Sequence, residues 1–228
     1  PTGWQLINGY LIGPSAILND ANLTNAALAY ANLTGADLTN ANLSGANLEG
    51  TDLTDATLTG VKSGGIIGAS AKLPYGFRIS NGYMVGIGAN LSNANLTGAD
   101  LTNILNQPHV HLTNANLTNA NLTGADLTNA NLTGANLTSA NLSYTNFFGD
   151  RLDYANLTNA NLTNAGLYGA DLTGANLSNA NLSSADLANA DLTGANLTGV
   201  QSGGITGSPD TLPVGWELIN GYLVEVAL

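Results

Sequence analysis

Residues 31–50 read ANLTGADLTNANLSGANLEG, four passes through one five-residue unit: a small residue, a polar residue, Leu, then two polar residues of the kind that make turns. The unit recurs in three runs, with leucines at Leu18 to Leu58, Leu91 to Leu101 and Leu112 to Leu197. A period of five fits neither the helix, which repeats every 3.6 residues, nor a long flat strand, which alternates. It fits a corner repeated along a winding chain. In Ala36-Asp37-Leu38-Thr39-Asn40, Ala36 and Leu38 face inward on either side of one outward residue, and Thr39 and Asn40 turn the corner. Gly or Asn at the fifth place, as at Gly35, Asn40, Gly45, Gly124 and Asn129, suits a turn that needs positive φ.

These units match A(D/N)LXX, and on them the chain resembles the pentapeptide-repeat family. The resemblance implies an all-β fold, a right-handed quadrilateral β-helix (β-solenoid) of about four pentads per coil, with the central Leu or Phe and the preceding small residue inside. Residues about 20 apart would then stack on one face at the roughly 4.8 Å spacing of neighbouring strands. One coil alone is unstable, since about 2 kcal/mol per buried Leu is set against about 1–2 kcal/mol of backbone entropy per residue. Stacking makes it stable. Outward Asn and Thr are expected to satisfy one another in ladders between coils. The Asn-Leu-Thr glycosylation sequon is a by-product of the repeat, and its density points to a prokaryotic source.

Strict repetition overrides the length prior of a 228-residue chain, because a solenoid grows by stacking, so one elongated body is expected. Its parts are a partial cassette at 1–15, pentads over 16–59, a cassette at 60–88, pentads over 89–198 with an irregular stretch at 103–111, and a terminal cassette at 199–228. Apolar residues make up 44% and charged residues 8%, which fits neither disorder nor, with no apolar run near the roughly 20 residues a bilayer needs, a membrane span. Pro1-Thr2-Gly3-Trp4 lacks the succession of a signal peptide, and Pro1 is not a natural initiator, so a processed or excised chain is expected. Cysteine is absent, which excludes disulfides and thiolate metal sites. The net charge of −11 sets 15 acids against Lys62, Lys72, Arg78 and Arg151, too few bases for direct nucleic-acid binding.

A longer motif interrupts the pentads. Residues 60–88 read GVKSGGIIGASAKLPYGFRISNGYMVGIG, residues 199–228 read GVQSGGITGSPDTLPVGWELINGYLVEVAL, and residues 1–13 hold its second half, PTGWQLINGYLIG. Trp4, Leu6, Asn8, Tyr10 and Ile12 alternate, as do Trp216, Leu218, Asn220, Tyr222 and Val224. Asn-Gly at 8–9, 81–82 and 220–221 lies between the apolar runs, the strongest short hairpin signal. Tyr10 and Tyr83 each stand eight residues before the next pentad leucine, so the cassette joins the coils in fixed register. Solenoid ends expose unpaired edges that must be capped or paired. Ends that repeat an internal junction predict head-to-tail association of the chain with itself, into a fibre or array, through Trp4, Tyr10, Trp216 and Tyr222.

No phosphate loop, nucleophile elbow or metalloprotease helix occurs, and Gly86 and Gly88 lack the third glycine of a dinucleotide fingerprint, so no enzyme activity and no cofactor are expected. His109 and His111 would share one side of a strand but lack a third ligand; Leu101 to Leu112 is one residue more than two pentads, which reads as an inserted bulge or loop. The other irregularity is YTNFFGDRLDY, residues 144–154. Phe147 takes the inward place, Asp150 stands where Ala belongs, and Phe148 would stack beside Tyr168 outside. Arg151 would lie one coil from Asp171, with Tyr144, Asp153 and Tyr154 nearby, forming an exposed recognition patch for another protein. Asp150 and Asp153 could suggest paired hydrolytic carboxylates, but nothing marks a cleft.

Two further readings compete. The resemblance implies that an acidic member can mimic DNA and bind a type II topoisomerase. Of the second-place acids Asp37, Asp52, Asp100, Asp126, Asp171, Asp186 and Asp191, however, only Asp171 and Asp191 fall together on one row, and the dimer-forming C-terminal helix of those inhibitors is missing. Thr and Asn ladders could also bind ice or a polysaccharide surface, although no face is singled out. Low charge with abundant Asn, Thr and Gly suits the extracellular space or cell surface of a bacterium, with the cytoplasm as the alternative.

Overall fold

The structure, a computed structural model, describes residues 3–68, 70–102 and 111–226. Its backbone returns on itself every 20 residues. Parallel bridges join Ile17 to Asp37, Asn22 to Asn42, Ala27 to Asn47 and Asn32 to Asp52, and the same offset runs from His111↔Asn131 through Asp191↔Thr211. No helix occurs among the described residues.

The pentad follows from where each N–H goes. The fourth residue's N–H donates to the second residue's own side chain, as Thr39 N does to Asp37 Oδ1 at 3.0 Å. The first residue's N–H closes a turn onto the preceding Leu carbonyl (Ala41 N to Leu38 O, 2.9 Å). The other three cross between coils, as in Asp37 N to Ala16 O (2.9 Å), Leu38 N to Thr57 O (2.9 Å) and Asn40 N to Thr59 O (2.9 Å). Every donor of the unit thus has an acceptor, as a mostly buried backbone requires. The turn needs positive φ at the fifth place, observed at 58° for Asn40 and 67° for Gly35.

This local economy corrects the expected ladders. The second-place amide or carboxylate is spent chiefly inside its own unit, where Thr39 Oγ1 also donates to Asp37 Oδ1. Only some rungs join coils, among them Asn161 Nδ2 to Asn141 Oδ1 and Asn176 Nδ2 to Thr158 Oγ1. An adjacent N–H two residues on is a nearer partner than a side chain one coil away. Asp serves this role as well as Asn, and the donors hold the Asp37, Asp100 and Asp191 carboxyls below the usual range, chiefly through the Thr hydroxyls beside them.

Inside, the leucines from Leu18 to Leu58 and from Leu112 to Leu197 are buried with the first-place alanines, and Phe147 replaces Leu as expected. Where Thr replaces Ala at Thr51 and Thr145, the hydroxyl donates to the carbonyls of Leu28 and Leu122, both at 2.8 Å.

Each cassette contributes an antiparallel hairpin. β1 (Gln5–Ile7) pairs with β2 (Tyr10–Ile12), β3 (Arg78–Ser80) with β4 (Tyr83–Val85), and β5 (Trp216–Ile219) with β6 (Tyr222–Glu225). All three turn on Asn-Gly with positive φ at both residues (49° and 76° at Asn81-Gly82), the geometry a two-residue hairpin prefers.

The cassette widens the bridge offset from 20 to 28 at Lys62↔Asn90, so the internal hairpin lies outside the coil's count. The offset then falls to 26 over Asn90↔Asn116, Asn95↔Asn121 and Asp100↔Asp126, and returns to 20 at His111↔Asn131. Asp126 and Asn131, one pentad apart, therefore face Asp100 and His111. Residues 103–110, where an inserted bulge or loop was expected, lie outside the described residues.

Candidate interaction site

At the internal junction the β3–β4 hairpin is gripped from both sides. On the side of the preceding coil, Met84 N donates to Ser63 Oγ at 2.9 Å and Ile66 N to Gly82 O at 3.0 Å. Gly64 leaves room for the Tyr83 ring, which a Cβ there would meet at 3.0 Å. On the side of the following coil, Asn95 N donates to Tyr83 Oη at 3.2 Å and Asn81 Nδ2 to Thr97 O at 3.3 Å. Arg78 completes the seat: Nη1 donates to Asp100 O at 3.0 Å and Nη2 to Thr102 O at 2.6 Å. Burial lowers the Arg78 pKa, and Asp100 partly offsets this.

The two ends divide these contacts between them. β1–β2 has the following-coil half: Asn22 N donates to Tyr10 Oη at 3.0 Å, and Asn8 Nδ2 to Thr24 O at 3.1 Å. β5–β6 has the preceding-coil half: Leu223 N donates to Ser202 Oγ at 3.1 Å, Ile205 N donates to Gly221 O at 3.1 Å, and Gly203 makes room for the Tyr222 ring. Of the four residues expected at the interface, Trp4, Tyr10 and Trp216 are half-buried and Tyr222 is 54% exposed. Leu6, Leu11 and Ile17 are exposed at one end, Val214, Ile219 and Val224 at the other. Arg78, Ser63 and Ser202 were not singled out from sequence and Asn81 only as a turn residue, although the shared Ser-Gly-Gly of the full cassettes carried a signal.

The aromatic patch is only partly as expected. Phe148 and Tyr168 do stack, with ring centroids 5.2 Å apart and planes 3° from parallel, both outside. Tyr144 and Tyr154 are exposed, and the Tyr154 ring lies over Gly174. Asp153 does not belong to an exposed patch: it is 7% exposed and accepts from Thr133 Oγ1 at 2.8 Å. Arg151 faces Asp171 along the backbone row, but its guanidinium turns to Asp153, Nε to Oδ1 3.4 Å. Asp150, in its Ala place, is fully buried; Oδ1 accepts from Ala130 N at 2.9 Å and Oδ2 has no partner. Burial pushes its pKa up to about 9, with a smaller push from Asp126.

The acidic rows also differ from expectation. The register shift pairs Asp100 with Asp126 as well as Asp171 with Asp191, yet the first row continues into Asn146 and Gly166, so no unbroken acidic stripe forms. His109 lies outside the described residues, and the ring of His111 is 6.3 Å from that of Tyr75. Among the described residues no three His, Asp or Glu side chains come together as a metal site, and no helix is long and apolar enough to cross a membrane.

A coil of 20-residue turns with inward leucines, broken by hairpin joints, defines a β-solenoid repeat protein. The chain belongs to the pentapeptide-repeat family: the Pentapeptide repeats model matches in eight copies over residues 16–61, 85–104, 115–149, 140–179 and 167–199. It is 34% identical to HetL, a pentapeptide repeat protein involved in heterocyst differentiation regulation from the cyanobacterium Nostoc sp. strain PCC 7120, over 82% of this chain and 85% of that one, with a TM-score of 0.41. A pentapeptide repeat protein of the Arabidopsis thaliana thylakoid lumen is 33% identical over 45% of this chain and 68% of that one, TM-score 0.42. Full-length QnrB1, a plasmid-mediated fluoroquinolone resistance protein, is 22% identical over 76% and 84%, TM-score 0.25. No curated relative matches the chain.

Proposed function

We propose that this protein is a non-enzymatic structural and binding solenoid, a right-handed four-sided coil that joins head to tail with copies of itself into a fibre or array at a bacterial surface. The observation that carries this reading is the division of contacts between the ends. The N-terminal hairpin makes the contacts to a following coil, the C-terminal hairpin those to a preceding coil, and the internal junction makes both sets. Exposed Leu6, Leu11 and Ile17 at one end and Val214, Ile219 and Val224 at the other supply apolar area to bury in such a joint. A contact between unlike ends need not close, so it propagates. The Phe148–Tyr168 stack is the side of the rod offered to another protein. Electron microscopy and sedimentation velocity across a concentration series test the reading: rods lengthening by whole molecules are expected, and single particles of constant size at every concentration would overturn it.

A further inference from the structure

The bridge register sorts the outward side chains by charge, which the spacing of the pentads conceals. Consecutive pentads fall on consecutive rows along the coil. One row passes from Asn90 through Asn116 to Asn196, and its neighbour from Asn95 through Asn121 to Asn181. At every rung of both, the second place is Asn and the fourth is Ser or Thr, over an interior of Ala and Leu alone. Every Asp and the Arg between Ala89 and Gly199 lie on the remaining rows: Asp100, Asp126 and Asp186 on one, Asp171, Asp191 and Arg151 with its neighbours Asp150 and Asp153 on the other. The pairing thus gives this part of the coil a neutral side and a charged side.

We propose that the neutral side binds an extended, uncharged polysaccharide chain, a property of the single molecule that does not depend on head-to-tail joining. Within a rung the Asn Oδ1 accepts from the hydroxyl, as from Thr118 Oγ1 to Asn116 at 2.8 Å and from Thr138 Oγ1 to Asn136 at 2.6 Å. The hydroxyl proton and the amide oxygen are thereby occupied, which leaves Nδ2 as a donor and Oγ as an acceptor. Asn176 and Asn196 turn Nδ2 to the hydroxyl of the preceding coil, whereas among the described residues the Nδ2 groups of Asn116, Asn136 and Asn156 have no protein partner. A sugar hydroxyl both donates and accepts, so it answers such a pair, and an uncharged chain loses no ionic hydration in doing so. Tyrosines flank this side: Tyr154 at the turn entering the first row and Tyr144 at the turn leaving the second are 69% and 64% exposed. Their rings offer apolar faces to the C–H face of a sugar. A protein partner calls for apolar or charged anchors instead, and these lie on the other rows. One rung holds a sugar weakly; a polymer engages many rungs, each contact after the first being intramolecular.

The test is retention of the full chain by insoluble cellulose and chitin, read as depletion from solution. Retention on at least one is expected, with a half-saturating concentration that salt leaves unchanged, since no charge is engaged. Asn136→Asp with Asn156→Asp keeps the oxygen that caps each unit, as Asp37 does, and replaces two outward donors with charge; it should raise that concentration at least about tenfold. Asn131→Asp makes the same change on a charged row, where its oxygen likewise caps Thr133 N, and should leave retention unaltered. Tyr144→Asn with Tyr154→Asn puts the usual residue at two positive-φ places and should weaken retention about tenfold through loss of the rings. All three variants should melt close to wild type. No retention on either polymer, an equal loss with Asn131→Asp, or thermal hysteresis without retention, which marks binding to ice, would overturn the proposal.

Discussion

Asp150 is the residue at which the repeat departs most from its own chemistry. An ionised carboxylate would sit in a row of alanines with one oxygen unpartnered, so the folded chain holds it neutral up to about pH 9 while the unfolded chain ionises it near 3.8. The folded pKa is raised, so its contribution is undiminished below about pH 4 and falls as pH rises, by about 1.4 kcal/mol per unit, until the folded group ionises. Asp150→Ala restores the pentad, and Ala130 N keeps its bond to Leu127 O. The stability gain of Asp150→Ala over wild type, from urea melts, should thus grow between pH 4 and 9 and be flat below; a gain independent of pH would mean that Asp150 is charged in the fold. Leu157→Ala, at a fully buried place, should cost about 2–5 kcal/mol in the same melts. The inward leucines were legible because a five-residue period admits few foldings. That the second-place Asn serves its own unit was not, since residue type does not say which of two nearby donors its oxygen takes.

At the scale of the element, the hairpins were legible from Asn-Gly between alternating apolar residues, and their two-sided grip was not, because each side chain in it meets a backbone group of a neighbouring coil and residue type does not say which one it reaches. Arg78 makes two such bonds with one side chain. Arg78→Met keeps the apolar stem and loses both bonds to Asp100 O and Thr102 O, and should cost about 2 kcal/mol, seen as faster hydrogen exchange in β3–β4 than in distant coils. The glycine three residues beyond each Ser-Gly-Gly is a second handle. Gly68 has φ of 96°, and a Cβ there would run into the Glu49 backbone; Gly207 stands in the same way against Ala188. Backbone cannot yield as a side chain can, so Gly68→Ala should lower stability by at least about 1–2 kcal/mol, whereas Gly98→Ala, with positive φ but open space, should cost only the backbone strain.

For the whole molecule, the consequence of a pentad that satisfies its own donors is that rows are interchangeable. The internal cassette begins on the row of Asn22, Asn42 and Lys62, the terminal one on that of Asn161, Asn181 and Gln201, so the same hairpin joint is built on two different rows. Deleting residues 155–174 removes one turn and returns every later residue to its row; the rod should stay folded and shorten by about 4.8 Å in small-angle scattering. Deleting residues 155–159 moves the C-terminal cassette back by one row and leaves each Leu inward and each second-place oxygen beside its donor. It too should fold, with melting close to that of wild type and, in rods, a changed rotation between successive molecules. Deleting Leu157 and Thr158 alone breaks the unit: beyond that point Leu162 arrives at the first place, where Ala belongs, Asn159 and Asn164 arrive at the inward third place, and Thr163 stands where the fourth-place N–H needs an Asn or Asp acceptor. That variant should lose the cooperative transition of the C-terminal coils, and a cooperative melt like that of the five-residue deletion would show that stacking, not the closed economy of the pentad, fixes the period.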